Sequence, residues 1–324
     1  MRFLARSFRL FIALSALWPA AQAMSQTWPV KPIRVIVSSP PGGVDTSARL
    51  ITAKMTETLG QPFVIENRAG ANGFIGTEAV ARAAPDGYTL LFTASSTMVN
   101  GPALAKSVPF DPIKDFAPVT LAYAGMATIA VNSNLPINTL RELIDYAKKF
   151  PGKLTYGSSG IGSIFHLTGE HFKQAAGVDM LHVPYKGSTP AWTDLAAGRI
   201  DVGFPSVDLV RPALAAGKVR IIAVVEAKRH PHAPGAPAVA ELVPGFEKPP
   251  SWIGMFATAG LPADAHVRLV NTAIAAIHSP EIRSRLEDGG YVVIGNRPEE
   301  VTAIMKRDLE RAAKLIKSIG ILPE

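Results

Sequence analysis

One local unit recurs along this chain and restricts its fold more than any other feature. A short run of β-branched residues ends in small polar residues, and an amphipathic segment follows. Ile33 to Val37 lead into Ser38, Ser39, Pro40, Pro41, Gly42 and Gly43, after which Leu50, Met55 and Leu59 mark a helix stopped at Gly60. The turn Pro85-Asp86-Gly87 feeds Tyr88 to Phe92, which run into Thr93, Ser95, Ser96 and Thr97. Lys153 to Tyr156 precede the loop Gly157 to Ser163 and a helix from His166 to Ala176, ended at Gly177. Leu181 to Pro184 precede Tyr185, Lys186, Gly187 and Ser188, with a helix ending at Gly198. Arg199 to Phe204 precede Pro205 and Ser206, with a helix reaching Gly217. Strands and helices alternating at this spacing predict an α/β protein with parallel sheets wound on both faces.

Two stretches rich in β formers, Val119 to Val131 and Val219 to Val225, bracket the middle of the chain and are expected to carry it between two lobes. Lys228 to Pro250 are dense in Pro and Gly and read as a wrapping surface loop. Trp252 to Ala257 read as a strand returning to the first lobe. Arg268 to Ile277, Glu281 to Leu286 and Pro298 to Ile319 have helical periodicity. The expected division is a discontinuous first lobe, 24–127 plus 228–324, and a second lobe, 128–227. A chain of 324 residues is more readily split this way than packed around one core.

The start of the chain reads as an export signal, 1–23: Arg2, Arg6 and Arg9, an apolar run from Leu10 to Trp18, and Ala21-Gln22-Ala23 as a cleavage site near Ala23. That run is well short of the roughly 20 residues a membrane span requires. The mature chain is therefore expected in the periplasm. The three leader arginines account for three of the formal +7 charges, leaving +4 on the rest. The remaining basic residues are scattered among acids, which argues against a nucleic-acid partner. The chain contains no Cys, so disulfides, thiolate nucleophiles, cysteine zinc sites and a cysteine lipid anchor are all excluded.

In an open parallel sheet every strand delivers its carboxyl end to one edge, where loops and helix N-termini gather and ligands bind. A helix N-terminus offers unpaired N–H groups and about half a positive charge, which suits a carboxylate. Gly42 and Gly43 in one lobe, and Gly157, Gly160 and Gly162 in the other, allow close backbone approach; Ser95, Ser96, Ser158, Ser159 and Ser163 add hydroxyls. The same Gly and Ser residues are also ordinary turn formers. Enzymatic readings fail. No G-x-S-x-G elbow accompanies Ser159 or Ser163, the spacing of His166, Glu170 and His171 fits neither zinc-protease signature, and no phosphate loop is present. No catalytic residue, metal or cofactor is expected. Asp45 fits a helix start, and His166 fits either a cap on the ligand loop or a histidine bonded to nearby backbone.

At this level of detail the chain resembles the substrate-binding proteins of tripartite tricarboxylate transporters, the Bug family. The resemblance is carried by Pro32 to Val37 with Pro-Pro-Gly-Gly and Asp45, Gly60-Gln61-Pro62, Glu66-Asn67-Arg68, Gly70 to Gly76, Ala84 to Leu90, Phe110 to Pro118, Pro151 to Leu154 and His182 to Ser188. It spans nearly all of the chain after the leader. It implies a two-lobed Venus-flytrap periplasmic binding protein of type 2-like architecture, each lobe a doubly wound, mostly parallel sheet with the ligand cleft between. It also implies a monomer that captures a small organic carboxylate and delivers it to a two-subunit integral membrane permease. The same fold could instead serve an exported sensor that presents its closed form to a membrane receptor or kinase. The family's ligand loops correspond to Pro41, Gly42, Gly43 and Asp45; to Ser95, Ser96 and Thr97; to Ser158, Ser159, Gly160, Ile161, Gly162, Ser163 and His166; and to Tyr185, Lys186 and Gly187. Pro205 and Ser206 replace an Asp-Asn pair that many members carry, so the ligand is expected to lack a positive charge. Ile161, Ile164 and Phe165 stand where the family is often polar. They form either an apolar cleft wall or helix packing.

Overall fold

The computed structural model describes residues 27–320 except 227, 231, 232 and 234. The expected leader and its cleavage site near Ala23 lie outside the described residues. The first lobe carries a six-stranded sheet. Its parallel part is β1 (Ile33–Val37), flanked by β2 (Phe63–Asn67) and β3 (Thr89–Ala94). The antiparallel part adds β10 (Trp252–Thr258) between β3 and β4 (Phe116–Gly125), and β11 (Tyr291–Val293) on the far edge of β4. The second lobe repeats the plan. β6 (Thr155–Ser158) lies parallel to β7 (Leu181–Pro184) and β8 (Val202–Gly203), and β5 (Thr128–Asn132) runs antiparallel between β8 and β9 (Val219–Val224). Each lobe thus combines parallel β-α units with one antiparallel strand inserted beside a crossing, and the first lobe adds a second, β11, at its edge. The sheets are mixed rather than mostly parallel because that inserted strand enters from the opposite end.

The central strands are apolar on both faces, as strands covered by helices on both sides must be. Val35, Val37, Leu90 and Phe92 face α1 (Gly43–Leu59), α8 (Ala263–His278) and α9 (Pro280–Asp288). The alternate residues Ile36, Leu91 and Phe256 face α2 (Phe74–Ala81) and α10 (Pro298–Ser318). A single turn of π-helix, Ser96–Asn100, continues into α3 (Gly101–Leu104) on that side. In the second lobe, α4 (Leu140–Lys149) and α5 (Ile164–Ala176) cover one face of the sheet; α6 (Ser188–Ala197) and α7 (Val207–Ala215) cover the other. Gly60, Gly177 and Gly198 end α1, α5 and α6 in the left-handed conformation, which glycine adopts without a steric penalty. Among the described residues no helix is long and apolar enough to cross a membrane.

The stretch after β9 departs from the sequence reading, which assigned 228–250 to the first lobe. Val239, Val243 and Phe246 are buried in the second-lobe core beside Phe172 and Phe204, and Ala238 pairs with Val224. The loop therefore wraps the second lobe, and the chain crosses back only at Lys248 to Ser251. Val239, Leu242, Val243 and Phe246 recur at helical spacing, but the Pro and Gly residues around them give the stretch a loop-like composition that hides its buried path.

The lobes are joined by Gly125 to Ala127 and by this return. Lys248 Nζ donates to the Gly125 carbonyl at 2.6 Å and to Glu226 Oε1 at 2.5 Å, and the same Glu226 oxygen accepts from Ala127 N–H. The ion pair is mostly buried, with side-chain exposures of 16% and 19%.

Beneath the β6–α5 loop, His166 and His182 stack with ring centroids 4.1 Å apart, and His182 also stacks on Tyr156 at 4.8 Å. His166 Nδ1 accepts the Gly162 N–H, and His182 Nε2 pairs with Ser158 Oγ. Burial lowers the pKa of both rings; that of His182 falls to about 4, with its neighbour His166 and Lys173 adding to burial and Glu170 opposing it. Their unfolded value is 6.5, so the unfolded chain takes up protons first and stability falls as pH drops from 6.5 towards about 4. With allowance for solvent screening of a partly exposed ring, His182 contributes about 1–2 kcal/mol over that window. Urea unfolding between pH 7 and pH 4 checks this. His182→Gln should lose part of the wild-type pH dependence, whereas identical slopes would contradict it.

Candidate functional site

Two adjoining cavities of about 390 and 500 Å³ lie between the lobes and share Val44, Ala94, Ser96 and Ile164, so they form one continuous cleft. Its walls are the carboxyl ends of the parallel strands and the first turns of the helices that follow them. Gly43 and Val44 come from α1, Ser96 from the start of the π-helical turn and Ser95 from the position just before it, Ile164 and Phe165 from α5, Ser188 from α6, Asp208 from α7 and Ser206 from the position just before α7. The first N–H groups of any helix have no intrahelical acceptor. No side chain caps α1 or α6, whereas the Ser163 hydroxyl accepts from His166 N–H and so occupies part of the α5 end. The cleft is therefore rich in backbone donors. No Lys or Arg lines either cavity, and Asp208 is the one formally charged lining residue among those described.

The smaller cavity has aromatic walls: Tyr123, Phe165, Phe204, Trp252 and Tyr291. Tyr123 and Tyr291 pack at 4.6 Å; the Tyr123 hydroxyl pairs with Ser47 and the Tyr291 hydroxyl donates to Asp208 Oδ2 at 3.3 Å. Burial, reinforced by Asp208, pushes the Tyr291 phenol up to about 12, and burial raises Tyr123 as well. Both stay protonated donors at neutral pH. Trp252 Nε1 donates to Asp308, which ties β10 to α10 behind the cleft.

Of the residues singled out in the sequence, Gly43, Ser95, Ser96, Thr97, Ser159, Ile161, Gly162, Ser163 and Ser206 line the cleft. Ser96 is exposed and touches both cavities, while Ser95 Oγ is engaged by the Pro250 carbonyl and Thr97 Oγ1 by that of Asn72. Gly162 lies where the lobes meet. Its φ is +75°, and a β-carbon there would sit 2.7 Å from Leu104 Cδ1 of the opposing lobe. The apolar trio divides: Ile161 projects into solvent and cleft at 64% exposure, Ile164 lines the cleft, and Phe165 both lines it and packs edge-on against Trp192.

The remaining candidates stand behind or beside the cleft. Pro41 and Gly42 are exposed ahead of α1. Asp45 is turned inward to Arg49, whose guanidinium lowers its pKa. Ser158 and Gly160 bond each other, and His166 accepts the Gly162 N–H, so all three hold the second-lobe loop. Tyr185 donates to Asp194 2.8 Å away, Lys186 is exposed, and Gly187 precedes α6. The Pro205 carbonyl is taken by Thr128. Two features of the cleft escaped the sequence reading. One is the place of the turn Gly70 to Gly73 in the cleft wall, with Ala71 and Asn72 at positive φ and packed against Ser38 and Thr97; the segment Gly70 to Gly76 carries part of the resemblance but is not among the expected ligand loops. The other is the Asp208–Tyr291 pair, joined across 83 positions of chain with no local signature. Among the described residues no group of His, Asp and Glu could hold a metal ion.

Comparison with known proteins adds the family. The model of the tripartite tricarboxylate transporter family receptor matches residues 47–321. A UPF0065 protein in the tcbD-tcbE intergenic region of Pseudomonas sp. (strain P51) is 39% identical over 295 residues, covering 89% of this chain and 86% of that protein. Among solved structures, an R. palustris protein with adipate superposes with a TM-score of 0.81 at 35% identity, covering 92% of this chain and 100% of the other. MatC from Rhodopseudomonas palustris, with bound malate, gives 0.75 at 31% identity and covers 89% and 100%. Solved structures of the periplasmic binding protein BugD and of a TctC solute-binding protein from Polaromonas superpose as well, so the family and its structural neighbours are binding proteins rather than enzymes, and this chain belongs to the tripartite tricarboxylate transporter receptor family of periplasmic solute-binding proteins.

Proposed function

We propose that the two lobes close on a small organic carboxylate in the periplasm and that the closed protein delivers it to a two-subunit membrane permease. The observation that carries this reading is the convergence of uncapped helix first turns from both lobes on a cleft with no Lys or Arg in its lining. Such an arrangement binds an anion through backbone N–H groups and hydroxyls, and it binds best when both lobes contribute. A micromolar ligand requires about 8 kcal/mol. A few charge-assisted hydrogen bonds at about 1.5–3 kcal/mol each, with burial of an apolar body, supply that amount. Relatives with adipate and malate bound support a carboxylate as the ligand class.

Closure follows from the connections. The two strands of chain at Gly125 to Ala127 and Lys248 to Ser251 act as the hinge, and ligand contacts on both sides shift the equilibrium to the closed form. Gly162 and Leu104 are where the closing lobes touch.

Two outcomes test this reading. Titration of the mature protein with a panel of organic acids should find at least one ligand that raises the melting temperature. Ser96→Ala should weaken its binding about tenfold, the worth of one charge-assisted hydrogen bond. Uptake of that acid by whole cells should then require both this protein and a membrane permease; no ligand in the panel, or uptake indifferent to the protein, would overturn the reading. Secondly, Gly162→Ala introduces both left-handed backbone strain and a wedge against Leu104, and should weaken binding by tenfold or more, about 1.4 kcal/mol. Adding Leu104→Ala should restore part of the loss. Calorimetry showing no rescue would mean that Gly162 and Leu104 do not meet in the bound state.

A further inference from the structure

We propose that the ligand is an α-amino acid with an apolar side chain, its ammonium group set against Asp208; this rests on the carboxylate reading of the same cleft. Asp208 lines the smaller cavity, and its Oδ1 is fully buried with no hydrogen-bond partner. Its Oδ2 holds one long bond, 3.3 Å, from the Tyr291 hydroxyl, and no ion pair reaches the group among the described residues. Arg211, one turn further along α7, lies beside Gly290 instead. A half-buried carboxylate whose inner oxygen has no partner is costly, and closing the lobes over it raises the cost. A ligand hydroxyl would satisfy the oxygen but leave the charge. An ammonium group does both.

The spacing selects the α-amino arrangement. A β-carbon placed on Gly43, in the uncapped first turn of α1, would sit 3.5 Å from the Tyr291 hydroxyl, which is itself 3.3 Å from Asp208 Oδ2. The backbone donors for a carboxylate and the acceptor for an ammonium thus stand on either side of one phenol, close enough for adjacent groups on a single carbon. The rest of the cavity offers Phe165, Phe204, Trp252 and Ile253 to a side chain and no Lys or Arg to a second carboxylate. A dicarboxylate would set like charge against Asp208. This revises the expectation drawn from Pro205 and Ser206: the acid absent from that loop is supplied from inside α7.

Calorimetry at pH 7 with matched sets tests the proposal: phenylalanine, 3-phenyllactate and 3-phenylpropionate; leucine, 2-hydroxy-4-methylpentanoate and 4-methylpentanoate; and adipate as the dicarboxylate. The amino acid should bind about tenfold or more tighter than the unsubstituted acid of its set, and adipate should bind more weakly still. Asp208→Asn, with an unchanged melting temperature for the free protein, should abolish that preference while leaving the unsubstituted acid within about threefold. Tightest binding by adipate or by an unsubstituted acid, or a preference that survives in Asp208→Asn, overturns this proposal and leaves the carboxylate reading standing. Failure of every compound also overturns this proposal, and the carboxylate reading is then decided by the organic-acid panel.

Discussion

Everything the cleft does starts from backbone N–H groups that the fold leaves without partners. A parallel strand must be followed by a helix that returns over the sheet, so its first turn points back towards the strand's carboxyl end. Two such lobes set face to face bring several first turns to one place. α1 and α6 arrive without side-chain caps, the hydroxyl of Ser96 stands between the two cavities, and no cation competes for the position. Selectivity for an anion is therefore a property of the architecture. The side chains then decide which anion.

On the proposed reading, the hinge converts that arrangement into a switch. The Lys248–Glu226 pair is mostly buried and fastened on one side to the Gly125 carbonyl and on the other to the Ala127 N–H. Desolvation takes back much of the Coulombic gain of such a pair, so its contribution is geometric: it fixes where the strand leaving the first lobe passes the chain returning to it. Rotation is then confined to a few residues while the two cores stay intact. The Tyr291–Asp208 bond crosses the cleft from β11 to α7, and the Met126 N–H reaches the Gly290 carbonyl nearby, so the β11 edge of the first lobe meets the second lobe next to the hinge.

The sequence made the repeating β-α unit legible because its signals are local: β-branched runs, small loop residues and glycine stops. Gly60, Gly177 and Gly198 end their helices as expected, and nine of the anticipated residues, among them Ser96 and Gly162, line the cleft. What it concealed depends on contacts between distant segments. Val239, Val243 and Phe246 lie in a stretch whose Pro and Gly read as loop, yet the second-lobe core takes them in. β11 is only three residues long and exists because β4 offers it an edge. Asp45 and His166 were chemically plausible ligands, but their neighbours Arg49 and Gly162 engage them first. Asp208 acquires meaning only beside Tyr291, and nothing within a few residues of either marks the pair.

A crystal structure of the mature protein with its tightest-binding organic acid is the most direct measurement of the central claim. The account places the ligand carboxylate between the lobes, within hydrogen-bond distance of the first-turn N–H groups of α1 or α6 and of the Ser96 hydroxyl. A carboxylate held outside the cleft, or paired with a Lys or Arg side chain, would contradict it.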